Sequence, residues 1–185
     1  MTCFVRELCN VVYKKVDLDR VRLQAADIRL LVLDVDGVLT DGHLPFDAKG
    51  RECKVFHVRD GYGIRRVLEM GIEVALISGR KSVPVKKRAD ELGIQHVFLG
   101  AKDKLATLKN LAEKLGISLS SVACVGDDVP DLECMRAAGL GIAVADAHSD
   151  LDAVADWHTH LGGGQGAVRE VCDLLLSAHN NADTQ

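Results

Sequence analysis

Two aspartates, Asp34 and Asp36, stand two residues apart where an apolar run ends, in Leu33-Asp34-Val35-Asp36-Gly37. Residues two apart on a strand point the same way, and where the chain turns beyond the strand, one carboxylate faces a substrate while the other stands beside it. A carboxylate can attack a phosphoryl group, and a second one can protonate the leaving oxygen and later activate water. Carboxylates this close repel unless a cation intervenes. A hard cation such as Mg²⁺ suits oxygen ligands and keeps waters that a phosphate can displace. It also reduces the repulsion between an anionic nucleophile and an anionic phosphoryl group. Taken alone, Asp-x-Asp-Gly reads equally well as a strand ending in a solvated turn.

Three further signals follow the same logic. Ser78-Gly79 precedes a helix, so the Ser78 hydroxyl and nearby backbone N–H groups suit a phosphate. Lys104 opens the next helix, where the dipole disfavours a cation; a lysine placed there is suited to neutralise phosphate charge. Gly126-Asp127-Asp128-Val129-Pro130-Asp131 puts Asp127 in place to complete a metal shell, with Asp131 one turn on to orient Lys104. Asp128 also reads as a helix N-cap. Each signal has a bland counterpart (a Ser-Gly turn, a solvated lysine, a cap), but all four fall at successive strand ends.

The elements that place them follow from periodicity. Residues 30–33 form an apolar run closed by Gly, the pattern of a strand buried on both faces. Residues 43–46 and 53–58 read as extended and joined by Asp47-Ala48-Lys49-Gly50, hairpin chemistry with Gly at the turn. Strands are then expected over 72–77, 97–99, 121–125 and 141–144. Helices are expected over 82–92, 104–115, 130–138 and 167–178, with Gly after helices supplying a left-handed cap. This alternation implies a parallel sheet with helices on both faces, whose ligands gather at the carboxyl ends of strands. A short docking helix is expected over 4–16, and a frayed polar tail after 178. The domain division is 1–27 as a helical extension, 28–179 as the catalytic domain and 180–185 as a flexible tail.

Composition sets limits. The 185 residues suit one α/β domain, and 48% are apolar but only 4% aromatic, so the core is aliphatic. A net charge of -4 with no long basic run argues against nucleic acid as the partner. No run approaches the ~20 apolar residues of a membrane span. The six cysteines lack C-x-x-C spacing and read as buried thiols in a reducing compartment, with the cytoplasm as default.

These residues resemble the haloacid dehalogenase-like phosphatase superfamily, whose pattern is D-x-D-G-[VT], a strand-end Ser/Thr, a Lys, then G-D-D-x-x-D. All four occur in order between Leu30 and Asp131. A closer resemblance, to the 3-deoxy-D-manno-octulosonate 8-phosphate phosphatases, rests on Leu33 to Gly42, His57 to Arg65, Ser78 to Lys81, Val125 to Asp128, Ala143 to Ala147 and Gly166 to Cys172. The resemblance implies a Rossmann-like α/β fold with a small β-hairpin insertion and no separate cap domain. It implies Asp34 as nucleophile, Asp36 as acid/base, and Ser78, Gly79 and Lys104 as phosphate holders. Mg²⁺ falls to Asp34, Asp127 and the backbone carbonyl of Asp36, supported by Asp128 and Asp131. Substrate contacts fall on His57, Val58, Arg59, Asp60, Gly61, Arg65, Arg80 and Arg88. A homotetramer in which a neighbour shields each active site is also implied, acting in the synthesis of a lipopolysaccharide sugar. Arg59, Arg65, Arg80 and Arg88 exceed what a phosphate needs and suit a second anionic group.

One departure stands out: the family pattern has Arg where this chain has Gln165. A nine-carbon keto-sugar acid phosphate is therefore a second candidate substrate. A non-catalytic oligomerisation module and a phospho-receiver domain are weaker readings, opposed by the intact Asp34, Asp36, Lys104 and Asp127. Gly61-Tyr62-Gly63 lacks the third Gly and the preceding strand of a dinucleotide fingerprint. Gly162-Gly163-Gly164 reads as a mobile connection or lid. His57, His158 and His160 lack zinc-site spacing and read as structural or rim residues.

Overall fold

The computed structural model describes residues 17–182, so the helix expected over 4–16 lies outside the described residues. Six strands form one parallel sheet: β1 (Leu30–Leu33), β2 (Glu73–Ser78), β3 (His96–Leu99), β4 (Val122–Gly126), β5 (Leu140–Ala143) and β6 (Trp157–His158). Their spatial order is β3-β2-β1-β4-β5-β6. The helices are α1 (Leu18–Ala26), α2 (Val58–Glu69), α3 (Val83–Leu92), α4 (Lys104–Leu115), α5 (Leu132–Ala137) and α6 (Ala167–Ala182).

Every residue of β1 is buried, because each face of the sheet carries its own core. Leu31, Leu33, Val74, Leu76, Val125 and Ile142 pack with residues of α1, α2, α3 and α6. Leu30, Val32, Ala75, Ile77 and Cys124 pack on the other face with Leu108 and Leu111 of α4 and Cys134 and Met135 of α5. The alternation follows from side chains pointing to opposite faces in turn. Burying one such leucine contributes ~1.5–3 kcal/mol. The order reverses between β1 and β4, the switch point where open α/β sheets leave a crevice at their carboxyl ends.

The structure departs from the sequence reading in several places. The hairpin shrinks to one antiparallel bridge, Phe46 with Glu52, although Gly50 does hold its turn at φ +72°. Helix α2 takes up residues expected to be extended or loop; Gly61 and Gly63 hid it, since glycine costs a helix ~1 kcal/mol. Both glycines serve packing: a Cβ at Gly63 would stand 2.9 Å from Cys172 Cβ of α6, and one at Gly61 2.2 Å from Arg88 Nη2. Gly139 is no left-handed cap. The cap residue of α5 is Ala138, at φ -74°, and a Cβ at Gly139 would meet the Ser120 carbonyl oxygen at 1.9 Å. Helix α6 runs on to Ala182, and His179 Nε2 donates to the Ile28 carbonyl, 2.9 Å away. Strand β6, two residues long, gave no periodic signal. Of the described cysteines, Cys124, Cys134 and Cys172 are buried thiols as expected, whereas Cys53 is exposed; Cys3 and Cys9 lie outside the described residues.

Gly139→Ala is expected to destabilise the fold by about 1–3 kcal/mol through overpacking against backbone. Urea unfolding measures this, and an unchanged midpoint contradicts it.

Candidate active site

The carboxyl ends of β1 and β4 adjoin at the switch point, with Leu33 opposite Val125 and the Asp34 N–H donating to the Val125 carbonyl at 3.1 Å. Asp34 and Asp127 are the next charged residues on each strand. The turn after β4 is a single tight helical turn, Val129–Asp131, capped by the Asp128 carboxylate, which accepts from the Val129 N–H at 2.7 Å. This turn carries Asp131 back over the strand end, where its carboxylate accepts from the Asp127 N–H at 3.3 Å. One oxygen each of Asp34, Asp127 and Asp131 lies within 4.8 Å of the others.

Lys104 answers part of this charge. Asp103 caps α4 by accepting from the Ala106 N–H at 2.8 Å, which sets Lys104 as the first helical residue. Its ammonium lies 2.9 Å from Asp34 and 2.7 Å from Asp131, with the side chain 10% exposed. Burial works to lower the Lys104 pKa, but the two carboxylates outweigh it and hold the ammonium above its usual range. Burial and then the charge of Asp131 raise Asp34 to about 6, against the lowering effect of Lys104. Burial, then Asp34, Asp131 and Asp128, raise Asp127 to about 7. Three carboxylates facing one ammonium leave an excess of negative charge that a divalent cation would balance, and carboxylate oxygens are the donors Mg²⁺ prefers.

Close backbone approach shapes the same place. Gly37 sits at φ +91°, and a Cβ on it would fall 2.0 Å from Asp127 Oδ2. A Cβ on Gly163 would fall 1.8 Å from the Gly37 carbonyl oxygen. The segment read as a mobile connection is thus packed against the loop that follows Asp34. The Gly163 N–H donates to Asp146 at 2.9 Å and the Gly164 N–H to the Val38 carbonyl at 3.0 Å. Gln165 beside it is exposed.

Ser78 ends β2, buried, with its Oγ accepting from the Arg80 N–H at 3.2 Å; Gly79 follows, exposed. Asp36 is not part of the carboxylate trio, and its oxygens meet Lys54 and, at 3.6 Å, Arg80. Of the four arginines singled out from sequence, Arg80 joins this cluster. Arg88 pairs with Glu91 at 2.9 Å and lies over the Phe56 ring. Arg65 donates to the Glu91 carbonyl at 2.8 Å, and Arg59 is exposed at the start of α2, as is Val58. Asp60 is tied to the fold: its carboxylate accepts from the Arg169 N–H of α6 at 2.8 Å, and burial raises its pKa. Neither its other oxygen nor Nδ1 of the neighbouring His57 has a hydrogen-bond partner, though both atoms are buried.

Sequence reasoning missed Lys54 and Glu52. They lie in a stretch without regular structure, where a charged pair at i and i+2 looks like ordinary solvated loop; one glutamate and one lysine flanking the exposed Cys53 carry no periodic signal.

Comparison with known proteins gives one picture. The haloacid dehalogenase-like hydrolase family matches residues 97–166. The 3-deoxy-D-manno-octulosonate 8-phosphate phosphatase of Salmonella typhi is 53% identical over 88% of this chain and 87% of its own, and that of Escherichia coli K12 is 52% identical over 86% and 85%. A crystal structure of the Moraxella catarrhalis enzyme of the same name, in complex with magnesium, phosphate and KDO, superposes with a TM-score of 0.86 at 46% identity, covering 90% of this chain and 96% of that one.

The raised pKa values carry a sign. An unfolded aspartate titrates near ~3.9, so between about pH 4 and pH 7 the metal-free native state binds more protons than the unfolded chain. Asp34 and Asp127 then make the metal-free fold less stable as pH rises through that window. Asp127→Asn is expected to raise the melting temperature of metal-free protein at about pH 8, to change it little near pH 4, and to remove the stabilisation Mg²⁺ gives the wild type. Thermal melts in chelator and in Mg²⁺ check this; a wild type that gains nothing from Mg²⁺ contradicts the assignment.

Proposed function

This chain belongs to the 3-deoxy-D-manno-octulosonate 8-phosphate phosphatases of the haloacid dehalogenase-like hydrolases, and we propose on that premise how its residues carry out the reaction. It is a Mg²⁺-dependent phosphoric monoester hydrolase that releases phosphate and the free sugar acid from 3-deoxy-D-manno-octulosonate 8-phosphate. The observation that carries the site assignment is Asp34, held at the switch point between the Lys104 ammonium and the carboxylates of Asp127 and Asp131.

An Asp34 oxygen attacks phosphorus while the bond to the sugar oxygen breaks, giving an aspartyl-phosphate. Asp36 gives its proton to the departing oxygen, then takes one from the water that cleaves the aspartyl-phosphate. Lys104 and the Ser78 hydroxyl hold the phosphate oxygens, and Lys104 offsets their charge without moving, since Asp131 already orients it. Asp34, Asp127 and the Asp36 backbone carbonyl would hold Mg²⁺, which when bound would supply positive charge that lowers the repulsion between the two anions. Arg80, 45% exposed beside Asp36, suits the carboxylate of the sugar acid.

A homotetramer is part of the proposal. Leu44, Phe46, Val55, Val58 and Val83 are exposed large apolar side chains, four of them within the short stretch that follows the nucleophile loop, and such patches mark interaction surfaces. Free cysteines support a cytoplasmic setting. Among the described residues no helix is long and apolar enough to cross a membrane.

Phosphate release with Mg²⁺ from a panel of the eight-carbon acid phosphate, nine-carbon keto-acid phosphates and hexose phosphates tests the substrate. Preference for the eight-carbon acid is the expected result; preference for a nine-carbon acid shifts the reading to a pocket retuned near Gln165. Asp34→Asn is expected to abolish turnover while keeping the wild-type melting profile, and comparable turnover by that variant refutes the nucleophile. Light scattering is expected to give four copies, and a fully active monomer removes the shielding neighbour.

A further inference from the structure

Lys54 has no part in the reaction as written, yet its side chain is 1% exposed, less than that of Lys104. Burying an ammonium costs several kcal/mol unless it is paired. Here its partners are the Asp36 carboxylate and, at 3.4 Å, Glu52. Glu52 is itself fixed, accepting from Ser82 Oγ at 2.5 Å and pairing with Arg80 at 3.0 Å. The Ser82 hydroxyl, then burial opposed by Arg80 and Lys54, leave the Glu52 pKa below its usual range. Arg80 closes the circuit by returning to the other oxygen of Asp36 at 3.6 Å. Two carboxylates and two cations thus alternate in a closed ring, and Asp36 is one of its four members.

The two cations on Asp36 differ. Arg80 is 45% exposed, so its guanidinium is open to an incoming anion. Lys54 is enclosed and has nowhere else to go. When a substrate carboxylate draws Arg80, Lys54 is the contact that remains on Asp36. We propose that Lys54, braced by Glu52, is the positioning residue of the general acid/base: it fixes the direction in which Asp36 delivers its proton to the leaving oxygen. The proposal rests on Asp36 acting as acid and base. Proton delivery of this kind is worth ~10²–10⁴-fold and depends on geometry within about an ångström.

The test is the dependence of kcat/KM on the leaving group, which reports the steps up to transfer of the phosphoryl group to Asp34. A p-nitrophenolate leaves without a proton, whereas a primary alkoxide does not. Lys54→Met is expected to keep activity on p-nitrophenyl phosphate within about tenfold and to lose on the order of 100-fold on a primary alkyl phosphate, steepening the slope across an aryl-to-alkyl series. Lys54→Arg is expected to restore part of the alkyl activity, and Glu52→Gln to show the same pattern more weakly. Where Lys54→Met does not fold, Lys54→Met with Glu52→Gln, which also removes the stranded carboxylate, is read the same way. A merely structural lysine lowers the whole series by one factor, and an equal loss at both ends, or none, overturns the proposal. A wild type inactive on every phosphomonoester instead overturns the phosphatase reading on which it rests.

Discussion

Three carboxylates and one ammonium occupy the space at the ends of β1 and β4, and this imbalance governs the rest of the site. Asp34, Asp127 and Asp131 repel one another, and burial sharpens the repulsion because less water screens it. A fold that relaxed would separate them. What prevents this is the parallel sheet beneath: β1 and β4 are neighbours in fixed register, each buried on both faces, so their ends cannot part without opening both cores. Stability drawn from aliphatic packing elsewhere is what permits the charge density here, and the affinity for a divalent cation follows from the same unrelieved repulsion.

Much of this was legible in the sequence for a physical reason. The strands are short, continuous apolar runs, and the charged residues begin where the runs stop, so the strand ends announced themselves. Asp34, Asp127 and Lys104 were each placed by a strand end or a helix start, and the structure brings them together. The mobile reading of residues 162–164 failed because glycine signals two opposite things: freedom in an open chain, or room for another backbone to come close. Here the second applies, as it does at Gly61, Gly63 and Gly139. Sequence alone does not distinguish them, since the approaching partner comes from a distant segment.

The parts that stayed hidden share a cause. Lys54 and Glu52 belong to a stretch with a single bridge and no repeat, so nothing in their spacing separated a buried ion pair from solvated loop. The arginines show the same limit: Arg65 donates to the Glu91 carbonyl and Arg88 pairs with the Glu91 carboxylate, while Arg80 reaches Asp36. Charge type is written in the sequence; direction is decided by where the fold places each residue.

The contact between Gly163 and Gly37 joins segments more than a hundred positions apart, across most of the described residues. Order of synthesis gives this a meaning. A ribosome delivers Asp34, Lys104, Asp127 and Asp131 well before it delivers the wall that backs the loop after Asp34, and non-local contacts of this span are among the last a chain can form. A growing chain therefore holds the reactive groups without the shape that aligns them, and competence arrives only when the C-terminal helix has followed and closed the domain.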